Sequence, residues 1–191
     1  MALNPESSPK PILNRSLVVA SFPYVIIVLA ILVRFLPHTA NFTPVGAMLL
    51  LAGACLPARR FWFPLAAIIA SDFILTRFVY HYPYSAEQYF VWLGWIAMLG
   101  LGWSLHGRER AWRIGFTTVA GSLSFFLISN FGVWLTGWYS HTLAGLEACY
   151  VAGLPFYRQA ASGDLVFAAV FFGALAWLRH RAALEQQPAA V

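Results

Sequence analysis

Long apolar stretches follow one another along most of this 191-residue sequence, separated by short connections that carry most of the charged residues. A helix that crosses a bilayer needs roughly 20 mainly apolar residues, and several of these stretches reach that length. Only 10% of the residues are Asp, Glu, Lys or Arg, whereas about a quarter are charged in a soluble domain. We therefore expect an integral membrane protein and exclude a soluble domain, a disordered chain and a disulfide scaffold.

The apolar pattern predicts an all-α fold, a compact bundle of six transmembrane helices. The predicted spans are residues 16–36, 43–56, 61–80, 89–105, 114–135 and 165–178. The second is too short for a hydrocarbon core of about 30 Å, so we expect a short or irregular span. We expect a disordered tail at 1–15, a transmembrane domain at 16–181 and a second tail at 182–191. Part of the long connection 136–163 should lie on or dip into the membrane, because it is apolar and aromatic.

The basic residues predict the orientation of these spans, because short cytoplasmic loops hold an excess of Lys and Arg. With six spans, both termini lie on one side, which then carries nine basic residues against three on the other. The nine are Lys10, Arg15, Arg59, Arg60, Arg108, Arg110, Arg113, Arg179 and Arg181, and the three are Arg34, Arg77 and Arg158. We therefore expect both termini in the cytoplasm and the chain in the inner membrane. This orientation accounts for the net charge of +5 without a nucleic-acid partner.

Costly polar residues accumulate on the predicted outer side of the membrane. An ionisable side chain within a span costs about 2.5–3.5 kcal/mol on insertion scales, so each one is a candidate functional group. Ligand pockets combine apolar walls with a few placed polar groups and aromatic rings. The candidate ligand-binding residues are Arg34, Asn41, Asp72, Asn130, Trp134, Trp138 and Asp164.

Each candidate also has a structural alternative. Asp72 can pair with Arg34 or Arg77 and only stabilise the bundle. Asn130 can form a hydrogen bond between helices. Asp164 can cap the N-terminus of the sixth span, where a carboxylate accepts from free N–H groups. The tryptophans can belong to the aromatic belt at the membrane interface.

Signals for an enzyme, a metal or a cofactor are weak. Cys149, His141 and Asp164 supply the residue types of a nucleophile, a base and an orienting acid, but no motif fixes their geometry. His38, His81 and His141 all lie on the predicted outer side without the spacing of metal ligands. The sequence contains no Walker A and no GxGxxG motif. We therefore expect neither an enzyme nor a bound metal or cofactor.

Several short runs carry a resemblance to a family. They are RFLPHTANFTPVGA at 34–47, Ser71-Asp72, NFGVW at 130–134, and the segment from Gly145 through Cys149 and Pro155 to Gly163-Asp164-Leu165. The sequence resembles, over roughly residues 30–175, an uncharacterised family of small bacterial six-helix membrane proteins. That family is in turn similar to the substrate-binding S components of energy-coupling-factor vitamin transporters.

The resemblance to S components implies a six-helix bundle that binds a vitamin or similar micronutrient from the outside, under loops that close over it. It also implies a transmembrane coupling subunit with ATPases as partners. Many S components carry alanines four positions apart in the first span, on the face that docks the coupling subunit. Here Ala20 is followed at that spacing by Tyr24, and Ala30 by Arg34, so the sequence departs from this part of the pattern.

Two main hypotheses follow, with a third behind them. The first is a membrane substrate-binding or uptake protein with an external pocket for a vitamin-like small molecule. The second is a structural subunit of a larger membrane complex, similar to cell-shape membrane proteins, in which the polar residues hold helices together. A membrane-embedded hydrolase that uses Cys149 is the third.

Overall fold

The computed structural model describes residues 15–37 and 41–185, and all regular structure within these ranges is helical. The predicted all-α fold is therefore confirmed for the described residues. The described residues form six α-helices: α1 Arg15–Val33, α2 Val45–Cys55, α3 Trp62–Ile74, α4 Glu87–Trp103, α5 Ala111–Leu135 and α6 Leu143–Glu185. A 3₁₀ turn at Ala58–Arg60 precedes α3, and a π-helical segment at Leu75–Val79 continues it. Arg15 of the first predicted tail belongs to α1, and 182–185 of the second belong to α6. The rest of both tails, 1–14 and 186–191, lies outside the described residues.

Four helical segments of the described chain are long and apolar enough to cross a membrane. They are Ser16–Val33, Ala58–Val79, Ala111–Leu135 and Leu143–Leu184. Large apolar side chains such as Leu17, Phe116 and Val170 are exposed on their outer faces, as expected of helices in contact with lipid. The remaining two helices are shorter, with 11 residues in α2 and 17 in α4. Six membrane crossings and cytoplasmic termini stay predictions.

The short second helix forms the centre of the bundle. Every residue of α2 from Val45 to Ala54 is buried, and α2 packs against α1, α4, α5 and α6. A helix that is apolar on all sides is stable only when neighbours surround it. Its closest neighbour is α4, because a Cβ atom on Gly53 would lie 2.3 Å from the Leu99 carbonyl oxygen, and one on Gly102 would lie 2.4 Å from that of Leu50. These two glycines let the helix backbones touch.

The sixth helix is much longer than the sequence predicted. The predicted span at 165–178 is only a part of α6, which runs over 43 residues from Leu143 to Glu185, about 64 Å at 1.5 Å per residue. The connection predicted at 136–163 is therefore wrong from residue 143 onward. Pro155 lies inside α6, and a proline within a membrane helix is tolerated where neighbouring groups satisfy the backbone. Packing of α6 along α5 keeps this polar and proline-containing stretch helical.

Candidate functional site

An ion pair joins the end of the first helix to the third. Arg34 follows α1 directly, and its Nη2 atom lies 2.8 Å from Oδ1 of Asp72 on α3. The side chains are only 13% and 9% exposed. The Nη1 atom of Arg34 donates to the hydroxyl of Ser71 at 2.7 Å and to the Ile68 carbonyl at 3.2 Å. Among the two pairings that the sequence allowed for Asp72, the structure therefore shows the one with Arg34.

The second oxygen of the Asp72 carboxylate accepts hydrogen bonds from the fourth helix and the loop before it. Gln88 Nε2 donates to Oδ2 at 2.6 Å, Trp92 Nε1 at 3.2 Å and the Tyr84 hydroxyl at a longer 3.4 Å. Tyr84 lies in the loop outside the helices, and burial, followed by the charge of Asp72, raises the pKa of its hydroxyl to about 12. The carboxylate of Asp72 is thus held by Arg34 after α1, by two residues of α4 and by the loop before α4.

A cation–π contact and two departures from regular backbone geometry accompany this ion pair. The guanidinium of Arg34 lies over the ring of Trp95, 5.3 Å from the ring centroid, within the range of a cation–π interaction. The α-helix that carries Asp72 changes to π-helical hydrogen bonding at Leu75–Val79, a distortion that often occurs at functional sites. Asn41, in the segment before α2, has a left-handed backbone with φ of 61°.

A second buried carboxylate belongs to Asp164, in the interior of α6. Its side chain is 6% exposed, and Oδ2 accepts a hydrogen bond from the Ser122 hydroxyl at 2.6 Å. The backbone N–H of Ala47 also donates to this carboxylate. A Cβ atom on Gly46 would lie 2.2 Å from Oδ1, so α2 approaches α6 closely here. The sequence interpretation of Asp164 as an N-terminal cap is wrong, because α6 begins at Leu143, several turns earlier.

Both carboxylates line a single cavity of about 590 Å³ among the helices. Ligand pockets for small molecules measure roughly 300–1,000 Å³. The rim includes the exposed residues Asn41 and Tyr80. Four of the seven candidate ligand-binding residues line this cavity, namely Arg34, Asn41, Asp72 and Asp164. Side chains from all six helices, or from the segments that adjoin them, form its wall.

The other three candidates lie outside the wall of this cavity. Asn130 donates from Nδ2 to the Phe126 carbonyl one turn earlier in its own helix, at 2.9 Å. Trp134 donates from Nε1 to the Ser140 carbonyl at 3.0 Å. Trp138 is 71% exposed. The structure thus separates these residues from the four that share the cavity.

Several residues of the site were missed in the sequence. Gln88, Trp95 and Ser122 line the cavity, and Trp92 donates to Asp72. Gln88 lies one residue before the predicted fourth span, and Gln88 and Trp92 are four residues apart and therefore on one face of a helix. The four-residue spacing of Gln88 and Trp92 was the sequence signal that could have identified both residues. Ser122 offered none, because a serine in an apolar helix usually bonds to a carbonyl of its own helix, and Ser122 also does so with Thr118.

The residue types considered for a hydrolase have other partners in the structure. The Cys149 thiol is 2% exposed and donates to the Asn130 carbonyl at 3.3 Å. His141 Nε2 lies 3.1 Å from the carbonyl oxygen of Trp134, and Asp164 bonds to Ser122. Within residues 15–37 and 41–185, no group of three His, Cys, Asp or Glu side chains is placed to hold a metal ion. His38 lies outside the described residues.

Fold and site together define a helical protein with helices able to cross a membrane and with a cavity lined by two carboxylates and a guanidinium group. The sequence matches the family of unknown function DUF6580 over residues 14–189, and the chain belongs to this family. The resemblance to an uncharacterised family is thereby confirmed. Comparison with curated proteins and comparison with solved structures gave no match.

Proposed function

We propose that this protein binds a small, vitamin-like molecule in the cavity and takes part in its uptake across the cytoplasmic membrane. The observation that carries the proposal is the shared cavity of about 590 Å³, which gathers Arg34, Asn41, Asp72 and Asp164 from distant parts of the chain. Burying charged groups in a membrane protein is costly, and such groups usually mark a binding or transport pathway. In this proposal the rim at Asn41 and Tyr80 faces the outside, in agreement with the excess of basic residues on the other side.

The energy for uptake would come from a partner. The sequence has no Walker A motif, so a transmembrane coupling subunit with ATPases, as in energy-coupling-factor transporters, is the proposed source. The departure from the alanine spacing at Ala20 and Ala30 makes this the part of the proposal to test first. Purification of the tagged protein from its own membranes, followed by identification of stoichiometric partners, tests it directly.

Binding itself is tested by mass spectrometry of small molecules extracted from gently purified protein. Once a molecule is identified, we expect Asp72→Ala to weaken its binding at least tenfold, equivalent to about 1.4 kcal/mol. Asn130→Ala tests which residues form the binding site. Asn130 lies outside the cavity, so the cavity geometry predicts unchanged affinity for the molecule, whereas the candidate residues from the sequence predict a loss of affinity similar to that of Asp72→Ala. If no small molecule is extracted and no affinity depends on Asp72, the binding function is refuted.

A structural role in a membrane complex is the second candidate, and hydrogen bonds between α5 and α6 favour it. The Cys149 thiol bonds to the Asn130 carbonyl, and the Tyr150 hydroxyl bonds to the Leu127 carbonyl at 2.8 Å. These bonds hold two helices of the same chain together and involve none of the residues that line the cavity. Chemical crosslinking in membranes separates the candidates, since a stoichiometric protein partner without a bound small molecule favours the structural role.

A further inference from the structure

The cavity carries an unbalanced negative charge. Among the described residues that line it, those with a carboxyl or guanidinium group are Arg34, Asp72 and Asp164. Arg34 and Asp72 neutralise each other in an ion pair at 2.8 Å. Asp164 remains, and the ion pairs found among the described residues do not include it. The described wall therefore has a net charge of about −1 when all three groups are ionised.

The donors around Asp164 are neutral. They are the Ser122 hydroxyl and the Ala47 backbone N–H. An ionised carboxylate that is removed from water without a counterion costs several kcal/mol. A positive charge must therefore accompany Asp164, either a proton on the carboxylate itself or a cation in the cavity beside it.

The remaining wall suits a cation better than an anion. Phe125, Phe156 and Tyr80 line the cavity, and aromatic faces attract ammonium groups. The only cationic side chain in the described lining, Arg34, already bonds to Asp72 and Ser71 and lies over Trp95. An anionic ligand would meet the repulsion of Asp164 and find this guanidinium engaged.

We propose that the ligand carries a positive charge, as a protonated amine or a quaternary ammonium group, and that Asp164 is its counterion. This inference rests on the proposed binding function and names the chemical class of the ligand. The cationic group lies against the Asp164 carboxylate between α2, α5 and α6, and the apolar remainder of the ligand packs on the aromatic wall.

Matched probes test the charge of the ligand with the unmodified protein. Binding of phenyltrimethylammonium, benzylammonium, benzamide and benzoate to the purified full-length chain in lipid nanodiscs is measured by calorimetry, and extracted molecules are identified by mass spectrometry. We expect the two cations to bind at least tenfold more tightly than benzamide or benzoate, and the extracted molecule to be a cation. Tighter binding of benzoate or benzamide, or an anionic or neutral extracted molecule, would overturn the inference and leave the binding function standing.

Asp164→Asn tests the counterion, and Glu109→Gln is the matched control. Glu109 lies outside this cavity, where it pairs with Arg179 at 3.3 Å, so its replacement removes the same charge elsewhere. We expect Asp164→Asn to weaken binding of the cations at least tenfold and Glu109→Gln to leave it unchanged. Equal binding by wild type and a folded Asp164→Asn would overturn the role of Asp164, whereas the probe series decides the charge class even if this variant fails to fold. Absence of any binding or extracted molecule would refute the binding function, and this inference with it.

Discussion

Removal of Arg34 should destabilise the bundle strongly, because it leaves the Asp72 carboxylate buried without its cation. Arg34→Met deletes the 2.8 Å bond to Asp72 and the bonds to Ser71 and Ile68. Breaking a buried ion pair from one side costs about 3–5 kcal/mol in soluble proteins. Hydrogen bonds between membrane helices contribute less, about 0.6 kcal/mol on average. The close donors Gln88 and Trp92 also remain on Asp72, so we expect a loss of about 3 kcal/mol, at the lower end of the range for buried ion pairs.

A double-mutant cycle isolates the interaction from the effects of each substitution. The free energy of unfolding is measured for wild type, Arg34→Met, Asp72→Asn and the double variant by titration with a denaturing detergent, followed by circular dichroism. We expect a coupling energy of about 2 kcal/mol between the two residues. The pair Arg179–Glu109 is the control, since its side chains are 45% and 16% exposed, more than those of Arg34 and Asp72, and exposed pairs contribute about 0–1 kcal/mol. A coupling for Arg34–Asp72 no larger than that of the control would contradict the assigned pairing.

Two further predictions concern packing. Gly102→Ala should destabilise the protein by about 1–3 kcal/mol, because the new Cβ atom would meet the carbonyl of Leu50. Gly100→Ala, on the same helix, places its Cβ atom in open space and should be neutral or stabilising. Thermal unfolding compares the two variants, and equal effects would argue against the α2–α4 contact. The two cysteines are free thiols, and Cys149 is more deeply buried than Cys55. A maleimide should therefore modify Cys55 faster than Cys149 in the folded protein, measured in the variants Cys149→Ser and Cys55→Ser, which each keep one cysteine. Faster labelling of Cys149 would contradict the packing of α5 on α6.

Helix positions could be predicted where the signal is local. The predicted spans 89–105 and 114–135 lie within two or three residues of α4 and α5 at each end, because hydropathy depends on nearby residues alone. The start of α6 was missed since Pro155, Arg158 and Gln159 lower the local hydropathy. What keeps that stretch helical is its contact with α5, for example the tight approach of Gly153 to the Asn130 side chain, and such contacts are not visible in a single sequence.

The candidate site also contains residues that a single sequence reveals and residues that it does not. Arg34, Asp72 and Asp164 could be singled out because the cost of a charge in an apolar stretch is a property of each residue by itself. Their partners, such as Gln88 and Ser122, depend on how each helix is rotated about its axis. Helices that are apolar on nearly all sides give little information on this rotation. The sequence consequently identified the ionisable groups of the cavity and missed the neutral groups that hold them.

The central position of α2 has a consequence for biogenesis. The eleven residues of α2 are enclosed by other helices and offer the lipid almost no surface. Transfer of α2 by itself from the translocon into the lipid would therefore gain little favourable contact with the mature protein's surroundings. Three of the helices that enclose it, α4, α5 and α6, are synthesised later, and α6 is the last helix of the described chain. The N-terminal part of the nascent chain therefore has to wait for the C-terminal part, and a ribosome stalled before α6 would leave an insertion intermediate with an uncovered second helix.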